Sequence, residues 1–262
     1  MANFSSWDVI FGAGSSQLIL GFEFPGAVRH EAGFAELAGR IGAEYGFLRA
    51  RPPDAQLCQH LSSDAYLGPW MRDLGEDRQR VRAVLGHGVG GVYATAVAEE
   101  ISRWQDAPHV ILFDPQLPSP RLLGQELGRE IAASSSLLSD AELESARKVA
   151  ARVTNMAAED IAGTAFTMVC EYLDIMSAAF ERAGLGDAHA SDLMVPFESY
   201  ISWISAADQI GHNRSLERFA IIVSSDYQGS QGLGIRSAEG RADLLRSDAV
   251  AKTVRNLLES QK

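Results

Sequence analysis

Apolar residues along the chain fall into short runs ended by breakers, separated by stretches with helical spacing. Leu18-Ile19-Leu20-Gly21-Phe22-Glu23-Phe24 reads as a strand that meets Pro25-Gly26. Glu31 to Ile41 reads as a helix, and Tyr45-Gly46-Phe47-Leu48 as a short buried strand stopped by Pro52-Pro53. The clearest unit comes next. Arg82-Ala83-Val84-Leu85 is a short strand, Gly86-His87-Gly88-Val89-Gly90-Gly91 a turn, and Val92 to Ile101 a helix rich in small residues. A second strand, His109-Val110-Ile111-Leu112-Phe113, ends at Asp114-Pro115. Strand, helix and strand at this spacing make a βαβ unit, and so predict a parallel sheet. Phe219 to Val223 is a late strand running into Ser224-Ser225-Asp226. The last helix starts after Ser247, a good N-cap, with Val250, Val254, Leu257 and Leu258 on one face.

Between Pro120 and about Ile210 no strand is expected. Ser139-Asp140-Ala141-Glu142 fits a capping box. After it, Val149, Val153, Ile161, Phe166, Val169, Leu173, Met176 and Phe180 recur at helical spacing. A helical block of this length inside an α/β pattern predicts a lid, so the expected division is a core of 1–118 and 216–262 with a lid over 119–215. Cys170 in this block reads as packing, as do Trp70, Trp104 and Trp203, with Trp203 placed to line a pocket.

Composition narrows the class. Of 262 residues, 46% are hydrophobic and 22% charged, enough apolar content to bury a core. Lys and Arg total 23 against 34 Asp and Glu, a net charge of −11 that argues against nucleic acid as a partner. The chain has no apolar run of the roughly 18 residues that a membrane span requires, and no secretory leader pattern, so a cytoplasmic protein that does not engage a membrane is expected. Cys58 and Cys170 do not make a disulfide framework or a zinc-ligand spacing, and neither metal nor cofactor is expected.

The glycine turn has two readings. Gly86, Gly88 and Gly91 satisfy G-x-G-x-x-G after a strand and before a helix, with Asp114 ending the next strand, as a dinucleotide-binding oxidoreductase requires. Against it, the motif sits on at least the third strand, and the chain turns helical after Asp114. The alternative is a degenerate nucleophile elbow, G-H-S-x-G-G, with Gly88 in the place of serine.

Taken with the order of the other parts, the chain resembles the thioesterase domains of polyketide synthases and nonribosomal peptide synthetases. The resemblance implies an α/β-hydrolase fold, a mostly parallel sheet with an inserted helical lid. It matches Leu18 to Ala27 to the early strand and oxyanion loop, Phe113-Asp114-Pro115 to the strand end carrying the catalytic acid, and Gly240-Arg241-Ala242-Asp243-Leu244-Leu245 to the histidine loop. Gly88 then replaces the nucleophile and Arg241 the base. Glycine has nothing to acylate, and arginine does not accept the proton. The backbone N–H groups of Val89 and Ala27 remain as expected oxyanion donors. Asp114, His30, Asp226 and Arg241 are the candidate catalytic groups, with His87 and Trp203 beside them.

The expected activity is a non-hydrolytic step, such as cyclisation, on an acyl or peptidyl intermediate of natural-product biosynthesis. The alternative is a catalytically inactive binding or scaffold protein for a carrier-bound intermediate or partner enzyme. Arg72, Arg78, Arg80 and Arg82 would be the basic patch for an acidic carrier protein.

Overall fold

A computed structural model describes residues 5–12, 14–24, 31–42, 44–53, 62–77, 80–157, 159–211, 219–229 and 234–259. Ala27, His30, Cys58 and Arg78 lie outside the described residues. The strands are β1 (Trp7–Phe11), β2 (Gln17–Phe22), β3 (Gly46–Ala50), β4 (Arg80–His87), β5 (His109–Phe113), β6 (Ala220–Val223) and β7 (Ile235–Arg236). They form one sheet in the order β1-β3-β2-β4-β5-β6-β7. Only β1 runs antiparallel, pairing Trp7 with Ala50 and Val9 with Leu48 of β3. The parallel remainder is in register through Leu20↔Val84, Leu85↔Ile111 and Phe113↔Ile222.

The helices are α1 (Phe34–Ile41), α2 (Ser63–Asp77), α3 (Gly90–Ile101), α4 (Pro120–Ala133), α5 (Asp140–Thr154), α6 (Ile161–Ala183), α7 (Asp187–Gln209) and α8 (Asp248–Glu259). Four of them, α4 to α7, fall between β5 and β6. Their ends follow local chemistry. Ser119 caps α4 through Leu122 N, and Ser139 and Glu142 form the expected capping box of α5. Ser247 caps α8, with Val250 N at 3.4 Å from its hydroxyl.

Period-two alternation sorts the strands onto two cores. Leu18, Leu20, Phe22, Val84 and Leu112 face a core shared with α2, α3 and α4 to α7. Ile19, Ala83, Leu85, Ile111, Phe113 and Ile222 face a second core under α1 and α8. Trp104, expected to pack, is 42% exposed, and Phe166 of the helical pattern is 41% exposed. Arg72 and Arg80 are exposed but Arg82 is not free, because its guanidinium donates to the Leu258 carbonyl at the end of α8. Among the described residues no helix is long and apolar enough to cross a membrane.

Helix α7 holds an unusual carboxylate. Glu198 is 7% exposed, and among the described residues neither of its oxygens has a hydrogen-bond partner. Burial alone pushes its pKa from 4.5 to about 7. The folded state therefore binds this proton more tightly than the unfolded chain does. That contribution to stability is full below about pH 4.5 and is lost as pH rises towards 7. Glu198→Gln is expected to match the wild type at pH 4.5 and to exceed it at pH 8 by on the order of 2 kcal/mol. Denaturant melts of both proteins at the two pH values check this. Equal stabilities at pH 8 would place the carboxylate in contact with water.

Candidate active site

The centre of the site is the turn between β4 and α3. Gly88 sits there at φ +58°, the left-handed region in which an L side chain is strained. Its N–H donates to Phe113 O at 2.9 Å, and its carbonyl accepts from Gly91 N at 3.2 Å and Gln116 N at 3.1 Å. The neighbouring glycines serve close approach. A Cβ on Gly90 would stand 1.9 Å from Phe22 O, and one on Gly86 would stand 2.5 Å from Gly91 Cα. Gly86 and Gly90 thus let α3 begin directly against β2 and β4. This packing accounts for them without a bound nucleotide.

Arg241 stands over Gly88. A Cβ built on Gly88 would lie 3.6 Å from Arg241 Nη2 and 3.3 Å from Gln116 Oε1. Arg241 opens a short 3-10 helix, Arg241–Arg246, and its backbone N–H donates to Asp226 Oδ1 at 2.9 Å. Its Nε donates to Glu31 Oε1 at 3.1 Å, and Nη2 donates to Gln116 Oε1 at 3.3 Å. The guanidinium is partly buried, with 16% of the side chain exposed, so the ion pair with Glu31 is shielded.

The other predicted acids have local duties. Asp114 follows β5 at φ +42° and is fully buried. Its Oδ1 accepts from Ser224 N at 2.8 Å and its Oδ2 from Ser224 Oγ at 2.7 Å. Burial pushes its pKa up, against those two bonds and the Arg241 charge. Asp226 is exposed and anchors the Arg241 backbone. Neither lines the cavity beside Gly88.

That cavity has a volume of about 200 Å³. His87, Gly88 and Val89 form one side, Phe24, Tyr200 and Trp203 an aromatic wall, and Glu23, Glu31 and Arg49 a charged side. The structure thus brings together the predicted Gly88, Val89, His87 and Trp203, with Arg241 joined to the cavity through Glu31. Glu23 and Arg49 escaped the sequence reading. Glu23 is 6% exposed, both its oxygens accept from Phe34 N at 3.0 and 2.9 Å, and one lies 3.6 Å from Arg49 Nη1. Burial raises its pKa to about 7, opposed by the Phe34 bond and the Arg49 charge. The available signal was an acid set between Phe22 and Phe24 in an otherwise apolar strand run. Among the described residues no group of three or more His, Cys, Asp or Glu side chains converges as metal ligands would.

No family model and no curated protein matches the sequence. Solved structures do match over nearly the whole chain. A Vlm2 thioesterase domain, with genetically encoded 2,3-diaminopropionic acid and bound with a dodecadepsipeptide, is similar at a TM-score of 0.51 and 14% identity. The match covers 99% of this chain and 98% of that one. The RedJ thioesterase of the prodiginine biosynthetic pathway in Streptomyces coelicolor gives 0.47 and 16%, covering 93% of this chain and 87% of that one. An α/β-hydrolase family protein from Desulfitobacterium hafniense gives 0.49 and 12%, covering 97% and 100%. The chain has a thioesterase-like α/β-hydrolase fold.

Proposed function

We propose that the chain acts in natural-product biosynthesis on an acyl or peptidyl thioester and performs a step other than serine-based hydrolysis, with cyclisation as the reaction the site suits best. The observation that carries this reading is Arg241 over Gly88. The position where the fold presents its nucleophile has no hydroxyl, and the group above it is a guanidinium, which does not serve as a proton acceptor. The means of polarising a carbonyl remain. Val89 N–H opens α3, where first-turn N–H groups have no carbonyl one turn earlier, and the guanidinium adds a fixed positive charge. A carbonyl set over Gly88 is activated for attack by a nucleophile on the same substrate, and the helical cover favours that nucleophile over water. The similar Vlm2 domain, bound with a dodecadepsipeptide, supports a substrate of this class.

The test uses N-acetylcysteamine thioesters of hydroxyacyl and aminoacyl-peptidyl chains. The wild type is expected to release the thiol and give the cyclic product by mass spectrometry. Arg241→Ala is expected to lower the rate by about 100-fold, the usual cost of one oxyanion donor. Release of linear acid alone, or no release, would overturn the reading.

A second reading follows from the Arg241 contacts with Glu31 and Gln116, which tie the guanidinium down. In it the cavity holds the intermediate without converting it. Saturable thioester binding without thiol release would favour it.

A further inference from the structure

We propose that Glu23 is the proton-transfer group of the cavity, taking the proton of the attacking hydroxyl or amine and passing it to the departing thiolate. This rests on the cyclisation reading. In the step, the substrate O–H or N–H proton moves to the Glu23 carboxylate as the new C–O or C–N bond forms. The C–S bond then breaks and the proton leaves on sulfur as the thiol, so no further reactant is required.

Location comes first. Glu23 follows the last residue of β2, and a Cβ on Gly90 would touch Phe22 O and lie 3.4 Å from Glu23 N. Its backbone therefore abuts the start of α3, and its side chain lines the same cavity as Gly88 and Val89. Neither Asp114, fully buried against Ser224, nor the exposed Asp226 lines that cavity.

The carboxylate is also held in place from two sides, since both its oxygens accept from Phe34 N, the first N–H of α1, and one lies 3.6 Å from Arg49 Nη1. Glu36 Oε2 takes the neighbouring donor, Gly33 N, at 2.9 Å. Gly33 has no side chain where a Cβ would stand 2.9 Å from Glu23 Oε1 and 3.1 Å from Oε2. The start of α1 is thus shaped around a carboxylate that burial penalises. Among the described residues, the charged and titratable groups sharing its surroundings are Arg49 from β3, Glu31 and Glu36 from the segment leading into and forming α1, and His87 from β4. A carboxyl raised to about 7 in that setting accepts and returns a proton near neutral pH.

The experiment measures thiol release and cyclic product with the thioesters above, from pH 5.5 to 8.5, for wild type, Glu23→Gln, Glu23→Asp and Arg49→Gln. Glu23→Gln is expected to lose at least about 100-fold in kcat with KM little changed. Glu23→Asp should restore part of it. Arg49→Gln keeps the carboxylate but removes the cation opposing its protonation, so the rise of kcat with pH should shift to higher pH. That shift tests the proposal even if Glu23→Gln fails to fold. A wild type that cyclises while folded Glu23→Gln keeps its rate, or an unmoved profile in Arg49→Gln, would overturn the role of Glu23 alone. A wild type inert towards every thioester would overturn the cyclisation reading and this role with it.

Discussion

The double variant Gly88→Ser/Arg241→His is expected to become covalently labelled at position 88 by a fluorophosphonate, while the wild type stays unlabelled. The backbone for it is in place. Gly88 already holds the left-handed turn conformation of a nucleophile elbow, with its N–H and carbonyl bonded to Phe113, Gly91 and Gln116. A side chain there carries a strain of about 1–3 kcal/mol. It also requires Gln116 Oε1 to give way by a few tenths of an ångström from 3.3 Å. Position 241 is anchored through its backbone to Asp226, so an imidazole there starts from the point where the guanidinium starts now. Asp114 stays buried nearby, close enough for the Arg241 charge to act on it. Gly88→Ser alone should remain inert, because arginine does not take the serine proton. Adding the imidazole is expected to raise the labelling rate by about 10²–10⁴-fold over the single variant. Intact-mass spectrometry reads this directly. Equal, slow labelling of both variants would mean that the 241 side chain does not reach position 88 productively.

Much of this frame was legible in the order of residues because it is local. The β5 strand runs from His109 to Phe113 as its unbroken apolar run predicts. The cap at Ser139 follows from Glu142 three positions on, and that at Ser247 from the serine itself. What escaped was either weakly patterned or remote. The β1 strand is an edge strand, and its exposed Val9 and Phe11 give a burial pattern with no clean apolar face. The α2 helix carries Pro69 inside it, which masks a helical reading. The charged side of the cavity is of the second kind. Arg241 meets Glu31 across 210 positions, and Glu23 gains its unusual proton affinity only when Phe34 and Arg49 close around it. No window of sequence contains such a pair. The exposed Phe166 fails for the converse reason, since helical spacing assigns a face but does not say what covers it, and Trp104 lies beyond the end of α3, where no face is assigned.

Trp203→Ala is expected to cost about 3–5 kcal/mol, a large share of the 5–15 kcal/mol by which a domain of ordinary stability is held folded. The indole is fully buried where α7 meets the body of the molecule. Its ring centroid lies 4.1 Å from Tyr93 on α3, 5.6 Å from Tyr66 and 5.7 Å from Trp70 on α2, and 5.8 Å from Phe24. Its own carbonyl accepts from Tyr93 Oη at 2.7 Å. Truncation leaves a cavity between layers that face one another from distant parts of the chain, and those layers cannot collapse without moving α7. Trp104→Ala is the control, because that ring is 42% exposed and its loss should stay within about 0.5 kcal/mol. Urea titrations of the two variants separate them. A loss below about 1 kcal/mol at Trp203 would show that the cluster around it repacks. The consequence reaches the site, since the same indole forms the aromatic wall beside Gly88 and Val89. A folded Trp203→Ala should therefore bind acyl thioesters more weakly, whereas Tyr93→Phe, which removes one hydrogen bond and keeps every ring, should lose only about 1 kcal/mol of stability and leave that binding intact.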